Sequence, residues 1–503
     1  MADRTVRWVG PALALFILLV LGPAAMGQDL AAFEKRLTKF TLDNGLTFIV
    51  LERHEVPVVS FHTYADVGAV DEVKGITGVA HLFEHMAFKG TRTIGTKDYP
   101  AEAAALARMD DLFLAIKREK RKGDQADQEV LKKLQEQFEQ AGQAAQKYIV
   151  HDEYQEALTR QGARGFNAYT SEDATQYIVS LPSNKLELWM MLEADRFANP
   201  VLREFYKEKD VVMEERRMEE NSPTGRLYEE FQGIAYLAHP YGEPVIGHMS
   251  DLQSLTRPEA EAFFKAHYGP SNLTIAIVGD VDPAHVKRLA EKYFVSIPSG
   301  PKPEPVRTVE PPQRGERRVT IEDAAQPTIM IGYHRPNVNH PDNAALEVVS
   351  QIVGVGRTSR LYKDLVKDKK IAVSADARAD PSKYPSLFMF YVMPAKGHTT
   401  QECEQAVHAQ IEKLKTEPVS PQELAKAKTR SRAGLIRRLD SNSGLAARLT
   451  FYEVVTGDWR NLFKELDKIE QVTAADVQRV AHTYFTTKNR TVGVIETAAG
   501  ASR

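Results

Sequence analysis

The stretch "HLFEHM", residues 81–86, places two histidines and a glutamate within five consecutive positions. Positions i and i+4 of a helix share a face, so His81 and His85 would present their imidazoles one turn apart. Glu84 would lie beside them, close to any metal they hold but outside the row of ligands. The other residues around the motif are apolar and predict a mostly buried helix, where three ionisable groups are costly unless paired or metal-bound. Because neutral imidazoles bind zinc well, the stretch predicts a zinc site.

A catalytic zinc needs a third protein ligand and an open position for water. The acidic run "EFYKEKDVVMEERRMEE" at 204–220 offers five candidates: Glu208, Glu214, Glu215, Glu219 and Glu220. Glu208 and Glu215 are two helical turns apart and therefore share a face. Physical reasoning alone does not choose among the candidates, and an acidic helix is commonly just solvated surface.

The composition describes a multidomain globular protein. A chain of 503 residues is too long for one ordinary domain, and its 43% hydrophobic and 26% charged residues suit folded cores with a soluble surface. The formal net charge of −3 gives no support to nucleic-acid binding, which usually shows as a basic excess.

The N-terminus has the pattern of an export signal. Arg4 and Arg7 precede an apolar run that ends in small residues near Gly27, which predicts a signal peptide at 1–27 and a periplasmic location. The alternative is a single membrane anchor, since the run is just long enough to span a bilayer. Cys403 is the only cysteine, so an exported form cannot be stabilised by an internal disulfide.

The remaining chain divides into two halves with the same order of elements. The turn Asp43-Asn44-Gly45 joins two alternating apolar runs and predicts a hairpin. We expect an N-terminal domain at 28–297, a Pro-rich linker at 298–316 and a C-terminal domain at 317–503. The shared order predicts two duplicated α+β domains, each with an antiparallel sheet flanked by helices. Charged helical periodicity at about 100–160 predicts a helical hairpin inserted into the first domain.

The sequence resembles the pitrilysin/insulysin family of inverted-motif zinc peptidases, closest to its short-subunit bacterial and mitochondrial-processing branch. The resemblance covers essentially everything after the signal. It is carried by three segments in particular: "HLFEHMAFKGT", "GARGFNAYTSEDATQYIVSLP" and "EKDVVMEERRMEE". It implies two domains that form half of a clam-like chamber.

The resemblance also implies the roles of individual residues. Glu215 becomes the third ligand of one zinc ion, and Glu208 a carboxylate that orients the site from behind. Glu84 is implied as the general base that takes a proton from the zinc-bound water and passes it to the leaving amine. The strand residues Asn167, Ala168, Tyr169 and Thr170 are implied to pair with the extended backbone of a peptide or unfolded polypeptide. An ordinary sheet edge is the alternative interpretation of that strand.

One departure from the family pattern bears on assembly. Active members bring an Arg and a Tyr from the second half to the substrate carbonyl, and Val366 and Val373 stand at those positions here. Neither valine can donate a hydrogen bond to a developing oxyanion. Arg360 and Tyr362 are nearby but out of register. We therefore expect the zinc subunit of a heteromer, whose homologous partner supplies the Arg/Tyr pair.

The predicted function is that of an exported zinc endopeptidase. Three alternatives stay open: a non-catalytic scaffold or peptide-binding subunit of the same fold, a different metal hydrolase on an unrelated fold, and an exported peptide-binding protein. The substrate is not predicted, because specificity depends on pocket walls that no short motif encodes.

Overall fold

The computed structural model describes residues 33–497, so the predicted signal peptide lies outside the described residues. Two sheets, each flanked by helices, form the fold, which confirms the predicted α+β class. Within 33–497 no helix combines the length and the apolar character that crossing a membrane requires.

The first sheet contains six strands in the order β1-β2-β6-β3-β5-β4. They are β1 (Leu37–Thr41), β2 (Thr47–Glu52), β3 (Val58–Ala65), β4 (Arg164–Thr170), β5 (Thr175–Pro182) and β6 (Leu273–Gly279). Strands β1 and β2 pair antiparallel, with Leu37 opposite Leu51 and Thr41 opposite Thr47, as the Asp-Asn-Gly turn predicts.

The second sheet contains five strands in the order β7-β11-β8-β10-β9. They are β7 (Arg317–Asp323), β8 (Thr328–Arg335), β9 (Ala372–Arg378), β10 (Ser386–Pro394) and β11 (Arg490–Thr497). Its strands repeat the order β2-β6-β3-β5-β4 of the first sheet. Strand β1 has no counterpart, and β7 is an element that the sequence analysis did not identify.

The sheets are mixed rather than purely antiparallel, which corrects one detail of the prediction. Strand β2 runs parallel to β6, and β7 runs parallel to β11, while the other neighbours are antiparallel. In each parallel pair, a strand near the beginning of one half lies beside the last strand of the same half. Parallel neighbours require a long crossover connection, and here nearly the whole half supplies it.

Sixteen α-helices accompany the sheets within residues 33–497. Those of the first half are α1 (Val79–Met86), α2 (Tyr99–Lys120), α3 (Gln128–Gln146), α4 (Glu153–Thr159), α5 (Leu186–Ala198), α6 (Phe205–Asn221), α7 (Pro223–Ala235), α8 (Met249–Ser254), α9 (Arg257–His267) and α10 (Pro283–Phe294). Those of the second half are α11 (Asn343–Val353), α12 (Thr400–Thr416), α13 (Pro421–Asp440), α14 (Asn442–Thr456), α15 (Asn461–Gln471) and α16 (Ala474–Tyr484).

Helices α2 and α3 form a hairpin that breaks at Gly123, where φ is +58°. The predicted domain limits themselves stay a prediction.

The two halves exchange helices. Helix α14 belongs to the second half but packs on the first sheet, where Leu445 and Leu449 join Ile49 and Val278 in one apolar cluster. Helix α7 belongs to the first half but packs on the second sheet through Phe231 and its neighbours.

Glycines permit the close packing of α7. A Cβ on Gly332 would come within 2.7 Å of the Phe231 ring, and one on Gly493 within 3.0 Å. Each sheet therefore depends on the other half for part of its cover, which the repeated order of elements does not reveal.

Candidate metal centre

Helix α1 begins where Gly78 adopts a left-handed conformation with φ of +84°. A Cβ at this position would lie 2.4 Å from the carbonyl oxygen of Ile246, so only glycine fits without rearrangement. The Glu72 carboxylate accepts hydrogen bonds from the backbone N–H groups of Gly78 and Ala80, each at 2.7 Å. Gly78 has no side chain to accept hydrogen bonds from the first backbone N–H groups of the helix, and the Glu72 carboxylate accepts them instead. It thereby fixes the first turn of the motif helix.

Helix α6 brings the acidic run beside α1. Its buried side chains include Phe205, Lys209 and Val212, which follow helical spacing and hold the helix against the core. Glu208 and Glu215 lie on the adjoining face, directed at the histidines. Glu214, the neighbour in sequence, points away and is 65% exposed.

The structure brings the three predicted ligands together. His81, His85 and Glu215 each offer one donor atom, and these atoms lie within 4.8 Å of one another. The Oε2 atom of Glu215 is 4.0 Å from Nε2 of His81 and 3.7 Å from Nε2 of His85. The two imidazole rings are nearly perpendicular, at 82°, with their centroids 4.9 Å apart.

This donor set fits zinc. Two imidazoles and one carboxylate are typical of a catalytic zinc site with one open position. Zinc bonds of about 2.1 Å in tetrahedral geometry separate the ligand atoms by roughly 3.4 Å. The Glu215 distances of 4.0 and 3.7 Å exceed that spacing by about 0.6 and 0.3 Å. Burial, followed by the neighbouring His85, lowers the pKa of His81 to about 4, which favours the neutral imidazole that a metal requires.

Glu208 lies behind the ligands, as the resemblance implies. Its Oε2 atom is 3.6 Å from Nδ1 of His85, and its other oxygen forms a very short contact with the Lys89 ammonium group. Burial acts to raise the pKa of Glu208, but His85 and Lys89 outweigh it and lower the pKa to about 2. A carboxylate that stays charged at neutral pH at this distance is placed to orient the His85 ring. The sequence analysis did not identify Lys89, although it follows the motif helix by one turn.

Glu84 lies on the motif helix and faces strand β4. Thr170 donates a hydrogen bond of 2.7 Å from its Oγ1 atom to Oε2 of Glu84. Burial raises the pKa of Glu84, and the Thr170 hydrogen bond opposes that rise. A carboxylate with a raised pKa is better suited to accept and return a proton near neutral pH. Sequence reasoning placed Thr170 only in the substrate strand and missed this contact.

The residues predicted to bind substrate form the outermost strand of the first sheet. Asn167 pairs with Ile178 of β5, and Tyr169 with Gln176, while the other side of β4 has no strand partner among residues 33–497. Ala168 is buried against the core, whereas Tyr169 is 41% exposed. The backbone edge of β4 is thus available next to Glu84.

The second half offers no substitute for the Arg/Tyr pair at the aligned positions. Val373 lies on the edge strand β9 and is 56% exposed, and Val366 packs half-buried against the second core. Arg360 is held by Glu423 in a bidentate ion pair with distances of 2.8 and 2.7 Å. Tyr362 begins a π-helical segment, Tyr362–Asp368.

Comparisons with known proteins agree with the fold. The family description "Insulinase (Peptidase family M16)" matches residues 48–109 and 139–248, and "Peptidase M16 inactive domain" matches residues 254–431. The chain belongs to peptidase family M16.

Relatives and solved structures share nearly the full length. Zinc protease PqqE of Helicobacter pylori is 27% identical, over 94% of this chain and 95% of its own. An uncharacterized zinc protease of Mycobacterium leprae is 24% identical, over 92% of each chain. A crystal structure of a protease from Helicobacter pylori matches with a TM-score of 0.77 at 27% identity, covering 92% of this chain and 99% of that one.

A further structural neighbour is twice as long. The periplasmic protease PqqL of Escherichia coli matches with a TM-score of 0.69 at 18% identity, and the match covers 93% of this chain but 48% of that one. This chain therefore has the fold of half of that protein.

Proposed function

We propose that the chain is a zinc-dependent endopeptidase that hydrolyses peptides or unfolded polypeptide segments. The convergence of His81, His85 and Glu215, with Glu84 beside them, carries the proposal. Membership in family M16 supports it, as do the relatives that are named zinc proteases.

The proposed chemistry is hydrolysis of a peptide bond. Zinc at this site would lower the pKa of a bound water and polarise the scissile carbonyl. Glu84 accepts the proton of the attacking water and then delivers it to the leaving amine. Thr170 keeps the carboxylate of Glu84 directed at that proton, and Glu208 keeps the His85 ring in place.

The substrate would bind as an added strand on β4. Main-chain hydrogen bonds to Asn167, Ala168 and Tyr169 hold any extended backbone, while neighbouring side chains select sequence. Because Thr170 ends this strand and contacts Glu84, a peptide on the edge would pass next to the general base. This geometry favours extended or unfolded substrates over folded ones.

We further propose that the chain acts as the zinc-bearing subunit of a two-chain enzyme that encloses its substrate in a clam-like chamber. The valines at 366 and 373 and the ion pair that occupies Arg360 leave no donor for the oxyanion at the aligned positions. The relation to half of the E. coli PqqL chain supports a second M16-like body. The same valines favour the alternative of a non-catalytic scaffold or peptide-binding subunit.

Export to the periplasm is part of the proposal and rests on the sequence of residues 1–27. Mass spectrometry of the protein purified from cell fractions tests it. A periplasmic form that begins at Gln28 is expected, and an intact N-terminus in the cytosol would contradict export.

The decisive experiment compares Glu84→Gln with the unmodified chain, each purified with its natural partners. Both proteins should hold one zinc per chain, while cleavage of a quenched fluorescent peptide library should fall by about 10²–10⁴-fold in the variant. Glu214→Gln, an exposed change on α6, is the matched control and should cleave normally. Zinc without cleavage in the unmodified complex would favour the scaffold, and undiminished cleavage by Glu84→Gln would refute the assigned mechanism.

A further inference from the structure

A cavity lies on the face of helix α6 opposite Glu208 and Glu215, away from the histidines. Its volume is about 600 Å³, within the range of small-molecule sites, and helices α2, α3, α6 and α8 contribute to its walls. Phe113, Phe138, Tyr206 and Met213 provide an apolar lining.

Much of this cavity comes from the inserted hairpin. Phe113, Lys117, Lys120 and Phe138 fall within residues 110–138, which lie between the two segments that the M16 family description matches. The cavity therefore forms where the hairpin outside the matched segments meets helix α6, which lies inside them.

The charges around the cavity are unbalanced. Lys117, Lys120, Arg121 and Lys209 line it, against a single carboxylate, Asp210. Lys117 is partly satisfied by the Ser254 carbonyl at 2.7 Å and by Glu259 at 3.7 Å. Among residues 33–497, Lys120 and Arg121 form no ion pair.

Lys209 is the most informative of these cations because it is only 3% exposed. Its Nζ atom donates to the carbonyl oxygens of Gln253 and Leu255 at 3.2 and 3.1 Å and lies 4.0 Å from the centre of the Phe113 ring. These partners are neutral, and no carboxylate in the described part of the chain forms an ion pair with Lys209. Burial, only partly offset by Asp210, lowers the pKa of this amine to about 7. A buried ammonium is normally paired with an anion, and an anion in the cavity would meet that need.

We propose that this cavity binds a small amphiphilic carboxylate, with its apolar body against Phe113, Phe138 and Tyr206 and its anionic head at Lys209. The cationic rim at Lys120 and Arg121 draws the anion in, and the aromatic walls exclude water from its apolar part. A fatty acid and the C-terminal residue of a peptide share this chemistry. Because α6 also carries Glu208 and Glu215, the ligand would rest against the helix that completes the metal centre.

Calorimetry on the full-length chain carrying Glu84→Gln, which prevents turnover, tests the proposal. The probes are decanoate and N-acetylphenylalanine, each compared with its uncharged amide. At least one carboxylate should bind about tenfold or more tightly than its amide, since a charge-assisted contact is lost in the amide. Preference for decanoate would identify a lipid-like ligand, and preference for N-acetylphenylalanine a peptide end.

Variants locate the binding to this cavity. Lys209→Met and the double change Lys120→Gln with Arg121→Gln should each weaken carboxylate binding, and the second alters only exposed positions. The double change Lys132→Gln with Lys133→Gln, on the exposed face of α3, should leave binding unchanged. Removal of zinc by a chelator should also leave binding unchanged, so the result is independent of the proposed peptidase activity. Equal affinity for acid and amide, full binding by the Lys120/Arg121 variant, or loss of binding with zinc would overturn the proposal.

Discussion

Thr170 and Glu84 are joined by a hydrogen bond of 2.7 Å that links the outermost strand of the first sheet to the helix carrying the two histidines. The strand proposed to hold the substrate and the carboxylate proposed to move the proton are thus in direct contact. A peptide bound on β4 would be positioned by the same element that positions the base. This contact is a positioning interaction, since the threonine has no part in bond breaking.

Replacing Thr170 by valine should slow turnover without releasing the metal. Removal of the hydrogen bond leaves burial to raise the pKa of Glu84 further, so the acidic limb of the kcat profile should move to higher pH. We expect kcat to fall by about tenfold at neutral pH, with unchanged zinc content. Thr170→Ser keeps the hydroxyl and should retain the normal profile. An unaltered acidic limb in the valine variant would show that the contact has no influence on the base.

Glu215→Gln should strongly weaken zinc binding, because the amide replaces the only charged ligand of the cluster. The adjacent change Glu214→Gln alters an exposed carboxylate that pairs with Arg217 and should not affect the metal. Atomic absorption after dialysis against a weak chelator measures the difference. Equal zinc retention by both variants would remove Glu215 from the ligand set.

Glu208→Gln should weaken the metal site less than loss of a ligand does. The change removes the negative charge next to His85, and it also removes the anionic partner of the Lys89 ammonium group. Changes of this kind typically lower metal affinity by about 10–100-fold. Competition with a chromophoric chelator gives the zinc dissociation constant, and a value equal to that of the unmodified chain would contradict the orienting role.

Introducing the missing donors should raise the activity of the isolated chain. The double variant Val366→Arg with Val373→Tyr places a cation and a hydroxyl at the positions where the family carries them. A restored oxyanion donor is worth about 10²–10³-fold, so a gain of tenfold or more over the unmodified chain is expected. Val366→Leu with Val373→Phe controls for bulk without donors. Full activity of the unmodified chain alone would refute the need for a partner's Arg/Tyr pair.

Phe231→Ala should destabilise the second sheet although the residue belongs to the first half. Phe231 is fully buried and lies against Gly332 and Gly493, so truncation leaves a cavity beneath α7. The expected loss is about 3–5 kcal/mol in the free energy of unfolding, measured by denaturant titration. Because the helices are exchanged, the unmodified chain should unfold in one transition. Two well-separated transitions, with only the first-half transition shifted by the variant, would contradict this interdependence.

Local patterns in the sequence were enough for several features of the fold and site. The spacing of His81, Glu84 and His85 determines their common turn, because an α-helix returns to the same face every three to four residues. The Asp-Asn-Gly turn determines the β1–β2 hairpin, and the periodicity of the charged insertion agrees with the helices found there. The resemblance to a peptidase family, carried by the same short segments, was confirmed.

Only the tertiary structure decided which distant groups meet. Helical spacing places Glu208 and Glu215 on one face, but whether that face meets α1 depends on how α6 packs through Phe205 and Val212. The contacts of Thr170 with Glu84 and of Lys89 with Glu208, and the exchange of α7 and α14, likewise join residues far apart in the chain. The hydrophobic free energy of an apolar helix face is the same against any matching apolar surface, so the sequence of the helix does not determine which surface it packs on. That choice depends on the shape of the surfaces, on the length of the connecting chain and on the close approach that Gly332 and Gly493 allow.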